Sequence, residues 1–212
     1  MKLITKDGSE TFYNIEAKQC YHSVSGAVEE ALKKHVEPSK VGIVAKSSSL
    51  KILDICFGIG YNSAVAIDEA LKENPDCKIE ITAIEKDPEI IKEIKNLNPK
   101  IESYWMIKKL VAKEKLPENI NIKLIIEDLR TALLEITGEY DVVFFDPFSP
   151  RANSELWTEE IFSQVYNLMR LGGRLTTYSC SSKVRVNMAR AGFQVKDGPV
   201  VGRRAPSTIA IK

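Results

Sequence analysis

The chain has 212 residues, of which 44% are hydrophobic and 28% charged, and 30 Lys and Arg balance 29 Asp and Glu for a formal net charge of +1. This composition excludes a disordered chain, and no apolar run is long enough to span a membrane. The first ten residues lack the apolar core of a signal peptide. The four cysteines form no CxxC pair and the chain has two histidines, so we expect a cytoplasmic protein without disulfides or metal.

Charge is distributed unevenly along the chain. From Arg170 to Lys212, nine Lys and Arg accompany one acid, for a local charge of +8, whereas the remaining residues carry −7. A basic segment on an acidic body is typical of a surface that binds a polyanion. Basic residues that cap exposed strands and helices produce the same composition, so the sequence leaves both interpretations open.

The first forty residues read as a small cover. Two short strand-like runs, KLIT and ETFY, flank the turn signal Asp7-Gly8, which predicts a β-hairpin over residues 1–14. Ser25 is predicted to cap a helix that ends before Pro38. We therefore assign residues 1–40 to an N-terminal hairpin and helix cover, and residues 41–212 to the main domain.

From Leu50 onward, predicted strands alternate with helical segments. The strands are KILDICF, KIEITAIE, NIKLIIED, EYDVVFFD, GGRLTTYSC, FQVK and STIAIK. Helices are predicted from about Asn62 to Lys72, after Asp87-Pro88, over SELWTEEIFSQVYNLMR and over SSKVRVNMARA. Helical segments of crossover length between strands indicate parallel βαβ units. The pattern predicts an α/β fold with a doubly wound, mostly parallel, seven-stranded sheet.

Ligands of such sheets bind at the carboxyl ends of the strands, where this chain places acids and glycines. Gly58 and Gly60 follow the first strand and allow close approach of backbone to a ligand. Glu85 ends the second strand, where it can accept hydrogen bonds from ribose hydroxyls, and Asp128 follows the third, where it can accept from an adenine amino group. Asp146 ends the fourth strand within a proline-flanked DPFSP segment. Each Asp alone is equally typical of a helix N-cap, but the set favours a nucleoside cofactor.

The segments LDICFGIG, IEKD, EDLR and FFDPFSP, in this order, resemble class I S-adenosylmethionine (SAM) methyltransferases, which have a Rossmann-like fold. The chain is more closely similar to the methyltransferase component of the MnmC-type tRNA-modifying proteins. The segments that carry this resemblance are DGSETFY, YHSVSGA, FGIGYN, DPFSP, LWT and GRR. The resemblance extends over nearly the whole chain, and the pairing of DPFSP with LWT is its most specific part.

The resemblance implies the roles of individual residues. SAM would be bound by Tyr21, His22, Ser23, Asp54, Phe57, Gly58, Gly60, Asn62, Glu85, Lys86, Asp128, Leu129 and Asp146. Asp146 would also accept a hydrogen bond from the acceptor amine, and Phe148 would form a wall for the acceptor base. Arg203 and Arg204 would contact RNA, although a solvated basic loop explains them almost as well. Trp157 is assigned to packing on its predicted helix.

The resemblance also implies a reaction. It is SAM-dependent N-methylation of 5-aminomethyluridine, often 2-thiolated, at the wobble position of tRNA. A separate oxidase or upstream modification enzyme is expected to supply the aminomethyl group, because the chain has no residues for the oxidase domain of bifunctional members. Cys56 stands where class I enzymes usually have a glycine, which predicts a wider turn. The alternatives are a spermidine-synthase-like aminopropyltransferase and a non-catalytic RNA-binding protein of the same fold.

Overall fold

A computed structural model describes residues 1–202 and 204–212, so the predicted RNA contact Arg203 lies outside the described residues. Within these ranges, the main sheet has seven strands, namely β4 (Ser49–Ile55), β5 (Lys78–Glu85), β6 (Ile120–Ile126), β7 (Tyr140–Phe145), β8 (Met169–Thr177), β9 (Gln194–Asp197) and β10 (Thr208–Ile211). Their order across the sheet is β6-β5-β4-β7-β8-β10-β9. The predicted fold class is confirmed.

The sheet is mostly parallel and places its switch point at β4. Strands β4 to β8 pair in parallel, and β10 pairs antiparallel with both β8 and β9. Because β4 lies between β5 and β7, the chain leaves β4 in both directions across the sheet, and the crevice for a ligand opens at that point. This geometry makes the carboxyl ends of β4, β5 and β7 neighbours.

Two hydrophobic cores cover the two faces of the sheet. Alternate residues of β4 show this, since Leu50 and Ile52 belong to one core whereas Leu53 and Ile55 belong to the other. The helices that follow the cover are α3 (Val41–Ala45), α4 (Tyr61–Glu73), α5 (Pro88–Glu93), α6 (Tyr104–Ala112), α7 (Leu129–Glu135), α8 (Glu159–Asn167) and α9 (Ser182–Arg190). Among the described residues, no helix is long and apolar enough to cross a membrane.

The long helix predicted over SELWTEEIFSQVYNLMR is shorter in the structure. Only α8 is α-helical there, preceded by a 3₁₀ turn at Ser154–Leu156, and β8 already begins at Met169. The Thr158 hydroxyl accepts a hydrogen bond from the Ile161 N–H and so caps the helix one residue after Trp157. Trp157 therefore precedes the helix, and its indole N–H donates to the Phe148 carbonyl at 2.9 Å.

The N-terminal cover is a small antiparallel sheet. Strands β1 (Lys2–Ile4) and β2 (Glu10–Asn14) form the predicted hairpin, and a short third strand, β3 (Gln19–Cys20), pairs with β2. The sequence did not indicate β3, because two residues are too few to show strand alternation. Strand β3 leads the chain directly to Tyr21 and His22, at the edge of the main sheet.

The predicted helix of the cover begins and ends later than expected. It consists of α1 (Ala27–Glu30), a π-helical segment (Ala31–Val36) and α2 (Glu37–Ser39), and Gly26 rather than Ser25 occupies the N-cap position. The prediction that it ends before Pro38 is wrong. The π-helical segment changes the backbone register, so that Pro38 lies in the first turn of α2, where its missing N–H costs little.

Candidate active site

The turn between β4 and α4 brings backbone close to the strand ends. Cys56, Gly58 and Gly60 all have left-handed backbone, with φ of 63°, 56° and 78°. Cys56 itself adopts the conformation that favours glycine, and the Gly60 N–H donates to the Phe57 carbonyl at 2.9 Å. Whether Cys56 makes the turn wider than a glycine would stays a prediction.

Glu85 ends β5 beside this turn, with its carboxylate fixed by backbone. One oxygen accepts from the Gly58 N–H at 2.8 Å and the other from the Asp87 N–H at 2.9 Å. Only 6% of the residue is exposed, and this burial raises the pKa of Glu85, although the two N–H donors oppose the shift. Each carboxylate oxygen has a second lone pair, so the group can still accept hydrogen bonds from two vicinal hydroxyls.

A cleft of about 650 Å³, which includes its solvent-open part, lies over the strand ends. The predicted residues that line it are Tyr21, His22, Gly58, Glu85, Lys86, Asp128, Leu129, Asp146 and Phe148. The cleft adds residues that the sequence did not indicate, namely Cys56, Ile84, Glu127, Asn153, Glu155 and Leu156. The last three belong to the loop after β7, whose path depends on tertiary packing. We refer to this cleft as the first cavity.

Five other predicted contacts lie outside the wall of the first cavity. Asp54, Phe57, Gly60 and Asn62 are buried beneath the turn, and Ser23 lines a second cavity instead. Asp54 accepts a hydrogen bond from the Ser63 hydroxyl at 2.6 Å, and the Asn62 amide donates to Asp146 at 3.1 Å. The structure therefore places Asp54 and Asn62 behind the site, where they support it through other side chains.

Asp128 fits both interpretations that the sequence allowed, a helix N-cap and a residue of the ligand site. Its carboxylate caps α7 by accepting from the Arg130 N–H at 2.9 Å, and it also pairs with the Arg130 guanidinium. Asp128 nevertheless lines the first cavity beside the apolar side chains of Ile84 and Leu129. The same residue is thus both a helix cap and part of the cleft wall, and the wall combines an acid with apolar surface.

The cover closes the first cavity from above through Tyr21. The Tyr21 hydroxyl donates to Asp87 at 2.9 Å, and its ring meets Phe148 edge-on at 5.0 Å between centroids. A pair of hydrogen bonds holds the cover in place, because the Gln19 amide donates to the Ser149 hydroxyl at 2.6 Å and accepts from the Ser149 N–H at 3.1 Å. Tyr21 and Phe148 together therefore form a fixed aromatic wall.

A second cavity, of about 920 Å³ including its open part, lies on the other side of that wall. It shares Tyr21, His22, Asp146 and Phe148 with the first cavity. Glu30 and Lys34 also line it and form a salt bridge with each other, and Gly202 lies at its edge. Arg204, the predicted RNA contact that the structure describes, is exposed two residues beyond Gly202.

Asp146 lies at the boundary between the two cavities. One of its oxygens accepts from the Asn62 amide, and the other lies 3.5 Å from Nε2 of His35, a residue that the sequence did not single out. Burial alone would raise the pKa of Asp146. His35, His22 and Asn62 together outweigh that effect, with His35 contributing most, so the pKa of Asp146 lies below its ordinary value. Asp146 is therefore ionised at neutral pH.

A doubly wound sheet with a glycine turn and a buried acid at its switch point is an architecture that binds nucleoside cofactors, and the class I methyltransferases share it. The family model described as S-adenosyl-L-methionine-dependent methyltransferase matches residues 91–212, and the chain belongs to this family. The cofactor is therefore SAM. The buried, backbone-fixed Glu85, with acceptor capacity left on both oxygens, fits the ribose of that cofactor.

A relative of known structure supports the assignment. MnmC2 from Aquifex aeolicus superimposes with a TM-score of 0.88 at 33% identity, covering 99% of this chain and 69% of that one. Spermidine synthase from Thermotoga maritima superimposes with a TM-score of 0.55 at 13% identity, covering 99% of this chain and 70% of that one. At that identity, the similarity shows a shared fold alone.

Curated relatives are longer than this chain. The uncharacterized protein MJ0670 of Methanocaldococcus jannaschii is 29% identical over 216 residues, which cover 98% of this chain and 58% of the relative. The bifunctional MnmC protein of Leptospira borgpetersenii, named for tRNA 5-methylaminomethyl-2-thiouridine biosynthesis, is 29% identical over 165 residues. That match covers 72% of this chain and 25% of the relative.

Proposed function

We propose that the chain N-methylates the primary amine of 5-aminomethyluridine, with or without a 2-thio group, at the wobble position of tRNA. The product is the 5-methylaminomethyl form. The similarity to MnmC2 and to the bifunctional MnmC proteins supports this substrate. The partner is then tRNA, a separate oxidase or upstream modification enzyme supplies the aminomethyl group, and the reaction takes place in the cytoplasm.

One observation carries the proposal, namely that Asp146 and Phe148 line both cavities. A methyl transfer needs its acceptor atom between the cofactor site and the acceptor site. Asp146 is the acid at this boundary that can accept a hydrogen bond from an amine N–H, and Phe148 offers an aromatic face to a uracil base. The two residues thus match the two halves of an aminomethyluridine.

The chemistry requires little of the protein beyond orientation. When bound, SAM supplies an electrophilic methyl group, and the thioether that leaves needs no proton. Asp146 would accept an N–H of the neutral amine, direct its lone pair toward the first cavity and stabilise the positive charge that develops on nitrogen. Tyr21 and Phe148 would exclude water from the reacting atoms, because their rings pack together over the boundary.

Cofactor binding is proposed for the residues of the first cavity. Glu85 would accept from the ribose hydroxyls, Gly58 would allow close backbone approach, and Asp128 and Leu129 would contact the adenine. Lys86 is exposed at the rim beside Asp128.

The second cavity speaks against the aminopropyltransferase alternative. A polyamine pocket needs several unneutralised acids. Here Glu30 is paired with the buried Lys34, and Asp146 is the other acid among the described lining residues of that cavity. A single carboxylate beside an aromatic ring suits one primary amine attached to a base better than a polycation.

The test combines labelled SAM with tRNA that lacks the terminal methylation, followed by identification of the modified nucleoside by mass spectrometry. Asp146→Asn should keep its SAM affinity but lose about a hundredfold or more in kcat, equivalent to about 2.7 kcal/mol. Glu85→Ala should weaken SAM binding measured by calorimetry by about 1.5–3 kcal/mol per lost hydrogen bond. Glu80→Ala, at an exposed acid of the same strand, is the matched control and should bind normally.

Three outcomes would contradict the proposal. Transfer from decarboxylated SAM to putrescine would establish the aminopropyltransferase, and absence of SAM binding would indicate a non-catalytic protein. Loss of SAM affinity with normal turnover at saturating cofactor in Asp146→Asn would make Asp146 a cofactor ligand rather than the partner of the amine.

A further inference from the structure

His35 lies beside Asp146, on a helix whose geometry is irregular at this position. It belongs to the π-helical segment Ala31–Val36, a rare conformation that is frequent at functional sites. The residue is fully buried, and its ring meets Phe144 nearly perpendicularly at 6.0 Å between centroids. Neither ring nitrogen has a hydrogen-bond partner among the described residues, and Nε2 lies 3.5 Å from Oδ1 of Asp146.

Asp146 is held on both oxygens from the side away from the cavities. Asn62 donates to Oδ2 from the first turn of α4, and His35 faces Oδ1 from the cover. The Asp146 side chain remains 12% exposed, on the side where it lines both cavities. A carboxylate fixed in this way presents its remaining lone pairs in one direction, toward the acceptor.

The charges around His35 favour an ion pair. Burial alone would lower the pKa of His35, but Asp146 opposes burial most strongly, Glu30 and Asp54 add to it, and the pKa is raised above its ordinary value. Burial lowers the pKa of the other histidine, His22, and the positive charge of His35 lowers it further. The titratable groups that act on the pair of His35 and Asp146 from the surrounding elements are Glu30 from α1, Asp54 from β4 and His22 after β3.

We propose that His35 is a positioning residue, whose imidazolium keeps Asp146 ionised and oriented toward the acceptor amine. The inference rests on the proposed function, since it assigns to Asp146 the acceptor side of the reaction. The π-helical segment supplies the register that brings an imidazole from the cover to the end of β7. His35 is not among the described lining residues of either cavity, so it acts on the acceptor through Asp146.

The first test needs neither SAM nor tRNA. The chain has two histidines, so ring-labelled protein gives two imidazole titrations by NMR, and His22→Gln assigns them. We expect the His35 ring to titrate above its ordinary value, and Asp146→Asn to lower that midpoint by about one to three pH units, because the opposite charge is removed. A His35 ring that stays neutral, or that does not respond to Asp146→Asn, would overturn the proposal.

The second test is kinetic. His35→Gln removes the imidazolium, so Asp146 becomes easier to protonate, and the ratio of wild-type to variant kcat should rise as the pH falls. We expect a ratio of a few-fold at most near pH 8.5 and about tenfold or more near pH 5.5, with SAM affinity unchanged. The ratio cancels the ionisation of the substrate amine, which both proteins share.

Thr176→Val is the matched control. Its hydroxyl donates to the His35 carbonyl at 3.3 Å, so the variant disturbs the same buried place without changing the imidazole, and its kcat ratio should not depend on pH. A pH-independent ratio for His35→Gln would reduce His35 to packing and overturn the proposal. Should the wild type methylate no aminomethyluridine at all, the proposed function fails, and the NMR titration still decides whether His35 and Asp146 form the pair.

Discussion

Asp54 shows how strongly burial acts on a single side chain of this site. It is fully buried in β4, and one oxygen accepts from the Ser63 hydroxyl whereas Oδ1 has no partner within the described part of the chain. Burial raises its pKa to about 7, an effect that Ser63 moderates and that the negative charge of Asp146 reinforces. Between its pKa in the unfolded chain and its higher pKa in the folded protein, such an acid is protonated when folded but ionised when unfolded.

This shift predicts a pH-dependent effect of Asp54→Asn on stability. Since the folded pKa of Asp54 is the higher one, its contribution to stability is complete below about pH 4 and is lost as the pH rises to about 7. Asn carries no such dependence and keeps an oxygen for Ser63. Relative to the wild type, we expect Asp54→Asn to gain about 2–3 kcal/mol in the free energy of unfolding between pH 5 and pH 8.

Urea unfolding at the two pH values measures this gain. Asp76→Asn makes the same chemical change at an exposed position and should show no comparable gain between them. An equal effect of Asp54→Asn at pH 5 and pH 8 would mean that Asp54 is ionised in the folded protein throughout this range.

The residues of the site differ in how far the sequence could predict them. Glu85 and Asp146 stand at strand ends that the alternation of apolar residues defines, so their place at the crevice followed from the pattern. Asp54 stands one residue before the end of the same kind of strand and points into the core instead, a difference of one step in the pleat. His35 carried no signal, because its position depends on a π-helical register that no periodicity reveals.

The turn between β4 and α4 separates two requirements for glycine. At Gly60, a Cβ would lie 2.6 Å from the Phe57 ring and 2.8 Å from Ile107, both in the core. At Gly58, a Cβ would lie 3.3 Å from Tyr21 on the wall of the first cavity. Both residues have positive φ, so both substitutions carry backbone strain, but only the first also overpacks the core.

The two glycines predict different main consequences, a loss of stability for Gly60→Ala and a loss of cofactor affinity for Gly58→Ala. Gly60→Ala should lower the free energy of unfolding by about 2–5 kcal/mol, from left-handed strain and overpacking together. Gly58→Ala should cost about 1–2 kcal/mol of stability but lower SAM affinity about tenfold or more, because backbone can no longer approach the cofactor closely. Chemical denaturation and calorimetry of both variants check this, and a Gly58→Ala protein with wild-type SAM affinity would contradict the proposed role of the turn.

Elements were predictable where a regular pattern extends over several turns or strands. The strands of the main sheet show continuous apolar runs, and Asp87, which accepts from the Glu89 N–H, marks the start of α5 as Asp-Pro predicts. Strand β3 and the π-helical segment are short and are stabilised by tertiary contacts, such as the bonds between Gln19 and Ser149. The N-terminal cover, which closes the first cavity, is therefore the part of the site that the sequence predicted least.

At the scale of the molecule, ion pairs offset part of the positive charge of the C-terminal segment. Several cations of the +8 segment pair with acids: Arg170 with Asp141 at 3.0 Å, Arg185 with Asp197, and Arg190 with Glu159 at 3.9 Å. Arg185 also donates to the Ser207 carbonyl and the Thr208 hydroxyl, so it ties α9 to β10. Arg170 and Arg185 thus hold neighbouring elements together, and the described part of the segment is not a continuous basic track.

The described residues of this segment that remain suited to RNA are Gly202, at the edge of the second cavity, and Arg204, both of which are exposed. If the tRNA backbone follows that edge, Arg204→Ala should raise the KM for tRNA, and the dependence of tRNA affinity on salt should become shallower by about 0.7 to 0.9 in log–log slope. Arg190→Ala removes the same charge from the end of α9, beside Glu159, and should change neither quantity. Filter binding at several salt concentrations, together with kinetics, measures both effects, and SAM affinity should stay unchanged in each variant. Equal slopes for Arg204→Ala and the wild type would exclude this edge as the RNA surface and direct the search to the N-terminal cover.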